Sequence, residues 1–106
     1  MRLTIGSVVC PKGNPSLLGV VTQLTVSENV NIAPLTGIAS RLPIDEVDVV
    51  MEAQVPDFTY GDSVRIDAPW LAGEIFTVVG ASSHVITVES HDGLTFNYDR
   101  ACVNRA

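Results

Sequence analysis

A pattern of glycine and β-branched residues occurs twice in this chain and restricts it to short, curled strands. The fuller copy is Tyr60-Gly61-Asp62-Ser63-Val64-Arg65-Ile66, an apolar loop, then Gly73-Glu74-Ile75-Phe76-Thr77-Val78-Val79-Gly80. The shorter copy is Ile5-Gly6-Ser7-Val8-Val9-Cys10, a Pro/Gly loop, then Gly19-Val20-Val21-Thr22-Gln23-Leu24. In each, Gly-x-Val or Gly-x-x-Val leads into a loop, and a Gly opens a β-branched run. Such runs between Gly and Pro punctuation read as strands. The 106 residues have room for one domain, or for two very small barrels sharing an interface. Units of about 50 residues would be marginal apart, so they are expected to pack together.

Along the chain the spacing predicts strands over 3–10, 19–26 and 29–33, the last cut off by Pro34. Pro11 to Pro15 is loop, because two prolines remove donors and bias their predecessors to extended backbone. Glu28-Asn29 and Thr36-Gly37 suit turns. Over 44–55, Val47, Val49, Met51, Ala53 and Val55 alternate with polar residues, which favours a strand with those five inward over a helix. Pro56-Asp57 is the best internal boundary. Strands are then expected over 63–67, 73–80, 85–89 and 94–98. Gly93 is placed to take positive φ in the last hairpin, and a short 3-10 turn at Asp99-Arg100-Ala101 leads to Val103 at an edge.

The run from Gly61 to Ile66, the Leu71–Gly80 segment, Val85-Ile86-Thr87-Val88, Asp92-Gly93-Leu94-Thr95-Phe96 and Asp99-Arg100-Ala101-Cys102-Val103 together resemble an SH3-like barrel of the KOW/Tudor-like kind. The resemblance covers Tyr60 to Arg105 and implies an all-β fold: an SH3-like barrel over 57–106 behind an N-terminal β subdomain over 1–56. The first half matches only through Gly19 to Leu24, so it is either a second barrel or an elaborated sheet. Basic loops that serve nucleic-acid binding in ribosomal and transcription members are missing. So is an aromatic cage, since Phe76 and Phe96 fall on strands.

Charge excludes one class of partner. The net charge is −6, with Lys12 the single lysine and five arginines spread along the chain. Binding to phosphate backbones depends on clustered Lys and Arg, so a nucleic-acid partner is disfavoured. Charged residues make up 17% of the chain against a usual ~25%, and mean hydropathy is +0.31. Surface covered by a partner or by further copies is the sharper reading of that deficit. No secretory signal or apolar span is evident, and a soluble product without a membrane partner is expected.

Site chemistry is sparse. Cys10 and Cys102 lack metal-ligand spacing and lie near opposite ends; a bond between them is allowed if the ends meet. His84 and His91 fall in turn-rich polar contexts, and Ser82-Ser83-His84 has no placed acid to complete a nucleophile. Asp45, Glu46 and Asp48 do not follow a calcium-loop spacing. Gly13 to Gly19 lacks the Gly-Lys-Ser/Thr ending and the helix of a phosphate loop. No catalytic residue, metal or cofactor is expected.

The interaction candidates are apolar loops: Pro69, Trp70 and Leu71 between the first two strands of the second half, and Leu17 and Leu18 in the matching loop of the first. Trp is over-represented at interface hot spots, although Trp70 could equally plug its own barrel. Small size, low charge, short strands and missing site chemistry lead to an expected function. It is a non-enzymatic assembly protein with itself, a capsid or a connector protein as partner. The foremost case is an accessory virion component of a tailed phage, a capsid decoration (cement) or head–tail connector. A cytoplasmic protein- or RNA-binding adaptor is the alternative.

Overall fold

The computed structural model describes residues 2–35, 39–55 and 57–106. Ten strands are present among the described residues: β1 Val8–Pro11, β2 Gly19–Leu24, β3 Asn29–Pro34, β4 Ser40–Pro43, β5 Val47–Met51, β6 Ser63–Ile66, β7 Phe76–Ala81, β8 Val85–Glu89, β9 Thr95–Asp99 and β10 Val103–Arg105. Three 3-10 turns, Ile44–Glu46, Pro69–Leu71 and Arg100–Cys102, are the only helical segments among those residues. The chain is all-β.

Strand pairing makes two SH3-like barrels. In the first half β1 pairs β2, β2 pairs β3, β3 pairs β4, and after a 3-10 turn β5 closes back on β1, every pair antiparallel. The second half repeats this: β6 with β7, β7 with β8, β8 with β9, then a 3-10 turn and β10 on β6. The repetition reaches single residues. A register shift falls between Val21 and Gln23 of β2 and between Val78 and Gly80 of β7, the same step of each strand. Such a shift bends a strand sharply enough for a barrel of few strands to curl.

The turns that open the barrels match as well. Gly6 and Gly61 take φ of 91° and 84°, a region open to glycine and costly to residues with a Cβ. Each donates its amide to β2 or β7, Gly6 to Val21 O and Gly61 to Val78 O, both at 2.9 Å. Beside them the Thr4 amide donates to Ser7 Oγ and the Thr59 amide to Asp62 Oδ2, each 3.0 Å. A short acceptor side chain three residues on satisfies an amide that the turn would orphan. This is why the first strand starts at Val8 and not at Leu3: Thr4 and Ser7 bend the chain before it can pair.

Other expectations need correction. Strand β4 had no forecast. The segment from Ile44 splits into a 3-10 turn and β5, and alternation ends at Val49, because Met51 and Val55 are exposed (58% and 79%). Pro34 belongs to β3, and β9 begins at Thr95. The Thr36-Gly37 turn and the Pro56 side of the chain break lie outside the described residues. Cys10 and Cys102 are free thiols.

The barrels meet where β2 and β7 pair through one residue each, Leu24 on Ala81. A Cβ at Gly80 would stand 3.1 Å from Leu24 O, a tight contact that would push the two strands apart by a few tenths of an ångström. Buried residues of both barrels, among them Val9, Val21, Leu24, Val64, Val78 and Ile86, form one continuous core. Tyr60 Oη crosses the seam to donate to Thr25 O, with Asn29 O 3.2 Å away. Burial raises the Tyr60 pKa; its bond to Thr25 opposes the rise and the charge of Glu28 adds to it. The phenol therefore stays a donor through neutral pH. Tyr60→Phe is expected to lower stability by about 1 kcal/mol, the usual net worth of one hydrogen bond. Urea titration at neutral pH measures it; an unchanged midpoint would show that the cross-seam bond contributes nothing.

Candidate functional site

The far end of the second barrel carries the candidate site. Pro69 is the first residue of a 3-10 turn in the β6–β7 loop, held by Leu71 N to Ala68 O (3.0 Å) and Ala72 N to Pro69 O (3.3 Å). Leu71 packs against the core. Its neighbour Trp70 must then point outward, and it is 80% exposed. Trp70 does not plug its own barrel; Leu71 is the residue of this turn that packs, half-buried, against the core.

Facing this turn is the β8–β9 hairpin. Ser90 N donates to Leu94 O at 2.8 Å and Gly93 N to Ser90 O at 3.0 Å, with Gly93 at φ 85°. Ser90 Oγ also donates to the Asp92 carboxylate. That bond, more than any other influence, holds the Asp92 carboxyl below its usual value, so the site keeps a negative charge across neutral pH. Between turn and hairpin lies a groove of about 350 Å³ lined in part by Trp70, Glu74, Asp92 and Leu94.

Three rings form its floor and wall. Phe76 of β7 is buried, and Phe96 and Tyr98 of β9 stand over it with centroids 6.3 Å away, edge to face. Phe96 and Tyr98 are 6.2 Å apart. These separations fall within the attractive range for aromatic pairs. The rings pack on one another, with Phe76 buried beneath the other two. Strand residues two apart share a face, so Phe96 and Tyr98 converge on Phe76 because they sit on a strand.

The first barrel has a matching end without the rings. By strand register Gly19 stands where the second barrel has Phe76, Ser40 where it has Phe96, and Leu42 where it has Tyr98. What remains is a cavity of about 230 Å³ walled by Val9, Pro11, Leu17, Leu18, Ile32 and Pro34. Ile32 occupies part of the vacated space: a Cβ on Gly19 would meet its Cγ2 at 2.4 Å. Sequence placed Leu17, Leu18, Pro69, Trp70 and Leu71 in matching loops. The structure puts the two sets at opposite ends of one molecule, not in one site.

Electrostatics concentrate elsewhere. Asp62 sits at the centre of a cluster with Arg2 (2.6 Å) and Arg105 (3.5 Å), and Asp57 pairs with Arg100. Arg100 donates also to Ser82 O across the barrel wall, and the Arg105 guanidinium lies 5.1 Å over the Phe58 ring. Burial works to raise the Asp62 pKa, but bonds from Arg2 and the Thr59 amide and the charges of Arg2 and Arg105 outweigh it, leaving the carboxyl below its ordinary value. Three of the five arginines are therefore held by two aspartates. His84, His91, Asp45, Glu46 and Asp48 are exposed. No cluster of three metal-ligating side chains exists among the described residues, and no helix among them is long and apolar enough to cross a membrane.

The class these observations define is a tandem pair of SH3-like barrels with unlike ends. No family model matches the chain, and no curated protein matches it in sequence. One solved structure similar to it is the crystal structure of the ADCP1 tandem Agenet domain 3-4. The likeness has a TM-score of 0.40 and 11% identity, over 97% of this chain and 79% of that one. A superposition this loose carries no argument about function, and the architecture stands on the strand pairing itself.

Proposed function

We propose that this chain is a non-enzymatic structural protein that works by docking on protein partners through the ring-lined end of its second barrel. The observation that carries this reading is Trp70, 80% exposed on a turn stapled by Leu71. A large apolar ring held rigidly in water contributes little to its own fold and much to a contact that removes it from water. Leu94 and Phe96, both exposed, extend the apolar surface beside it. Arg2, Arg100 and Arg105 are committed to Asp57 and Asp62, which leaves few cations for a polyanion and favours protein over nucleic acid. In its finer form the proposal places the chain on a virion, as a capsid decoration or head–tail connector. The low charged fraction and single lysine support a surface meant to be covered.

Trp70→Ala is expected to leave the circular dichroism spectrum intact. It should weaken binding to a tailed-phage capsid or connector protein that wild type binds by about 2 kcal/mol, as for a central aromatic anchor. Calorimetric titration reads the difference. Equal affinity for wild type and variant, or a variant that unfolds, would return Trp70 to an ordinary surface or packing role.

A further inference from the structure

We propose that copies of this chain join head to tail, Trp70 of one copy seating in the first-barrel cavity of the next. The proposal rests on the reading of Trp70 as a docking residue and names a second copy as its partner.

The two ends are complementary in shape. Where the second barrel is filled by Phe76, Phe96 and Tyr98, the first has Gly19, Ser40 and Leu42, and an apolar cavity of about 230 Å³ is left. An apolar cavity of roughly 150 Å³ is enough to admit benzene. The larger volume here suits a bicyclic indole and falls short of the ~300 Å³ or more of a drug-sized ligand site. The one tryptophan of the chain is the exposed ring at the other end.

Trp70 cannot fill the cavity of its own chain. Strands β2 and β7 are antiparallel and meet only at their last residues, Leu24 and Ala81. Gly19 and Phe76 open those strands and lie at their far ends, each roughly 17 Å from the seam at ~3.3 Å per residue. The molecule is 47 Å long and 25 Å across. A knob and a pocket on different patches make a heterologous contact, which generates rings if the rotation closes and filaments if it does not.

Charge does not select the pairing, because the exposed Glu46 and Asp48 lie beside Pro11 and Lys12 at the cavity end. Glu74 and Asp92 line the Trp70 groove. Lys12 and Arg41 are the chain neighbours of Pro11 and Ser40 at the cavity. Neither cation has a carboxylate partner among the described residues; the Lys12 amide donates to Glu46 O and Arg41 Nε to Asn31 Oδ1.

The test is sedimentation velocity on the full chain over a concentration series. It compares wild type, Trp70→Ala, Ser40→Phe and an equimolar mixture of the two variants. Ser40 is exposed, and Phe there restores the ring that the second barrel carries at the same register. Wild type is expected to grow beyond a dimer as concentration rises. Each variant alone is expected to self-associate on the order of 30-fold more weakly. The mixture is expected to stop at a one-to-one pair, since one copy keeps the knob and the other the cavity, and the Trp70 emission of the Ser40→Phe copy should shift to the blue. If Ser40→Phe fails to fold, Leu17→Arg at the exposed cavity rim replaces it. Wild type that stays monomeric at the highest concentration it tolerates overturns the proposal, as does a mixture that does not pair. If wild type stays monomeric while a separate protein still needs Trp70 for binding, the docking reading stands and this inference falls.

Discussion

Leu24→Ala is expected to destabilise the chain by about 3 kcal/mol, within the range for a buried leucine whose surroundings cannot collapse. Leu24 is 1% exposed. It ends β2, where it pairs Val30 in its own barrel and Ala81 in the other, so the cavity left behind opens onto both. Because the core is continuous across the seam, the loss should be shared. Urea unfolding should remain a single transition at a lower midpoint, and amide exchange should accelerate together at Val21 and Val78, one in each barrel. A loss under about 1 kcal/mol, where core truncation normally costs several times that, would contradict a shared core. So would accelerated exchange confined to the first barrel.

Asp62→Ala is the second large effect, expected at about 2.5 kcal/mol from the loss of charge-assisted hydrogen bonds. The carboxylate accepts from Arg2 and from the Thr59 amide and stands beside Arg105. Its removal leaves the Arg2 and Arg105 guanidinium groups with Asp57 O as their remaining protein acceptor. The same group sets the acid limit of the fold. Its pKa in the folded chain lies below that in the unfolded chain. Its contribution is therefore whole above the unfolded value, near ~3.9, and is lost as pH falls through the lower folded value. Wild type should lose stability steeply on that descent, and Asp62→Ala more shallowly. Parallel acid limbs for the two proteins, measured by urea midpoints at successive pH values, would remove Asp62 from this role.

Most strands were legible because β-branched runs and Gly or Pro boundaries act locally. Val85 to Glu89 is the plainest instance, and the 3-10 turn before Val103 is displaced by only one residue. Strand β4 was not legible, since Ser40-Arg41-Leu42-Pro43 holds no β-branched residue and its place is fixed by pairing with β3. The inward set assigned to 47–55 failed because a register shift against β1 skips Val50 and breaks the alternation before Met51, and the strand ends there. The seam was illegible for a further reason: Leu24 on Ala81, Tyr60 on Thr25 and Arg100 on Ser82 join residues far apart in sequence, and no spacing encodes them. Trp70 was identified by residue type and loop position. Its surroundings of Phe76, Phe96 and Tyr98 had an available signal in the Phe-x-Tyr spacing of β9, which places both rings on one face.

Each barrel closes by joining its first strand to its last, Pro11 to Val47 and Ile66 to Val103. That closure has a consequence for how the chain is made. Contacts between distant residues form slowly, because loop entropy must be lost before they offer any return. On the ribosome the first barrel can zip shut once β5 has emerged, long before the second exists. The second cannot do so until β10 is free, and Arg105, which helps clamp Asp62, arrives with that strand. Until then β2 presents the tip that will receive Ala81 as an unpaired strand end. Emergence of β10 is the step at which the second barrel can close and the two halves become one body.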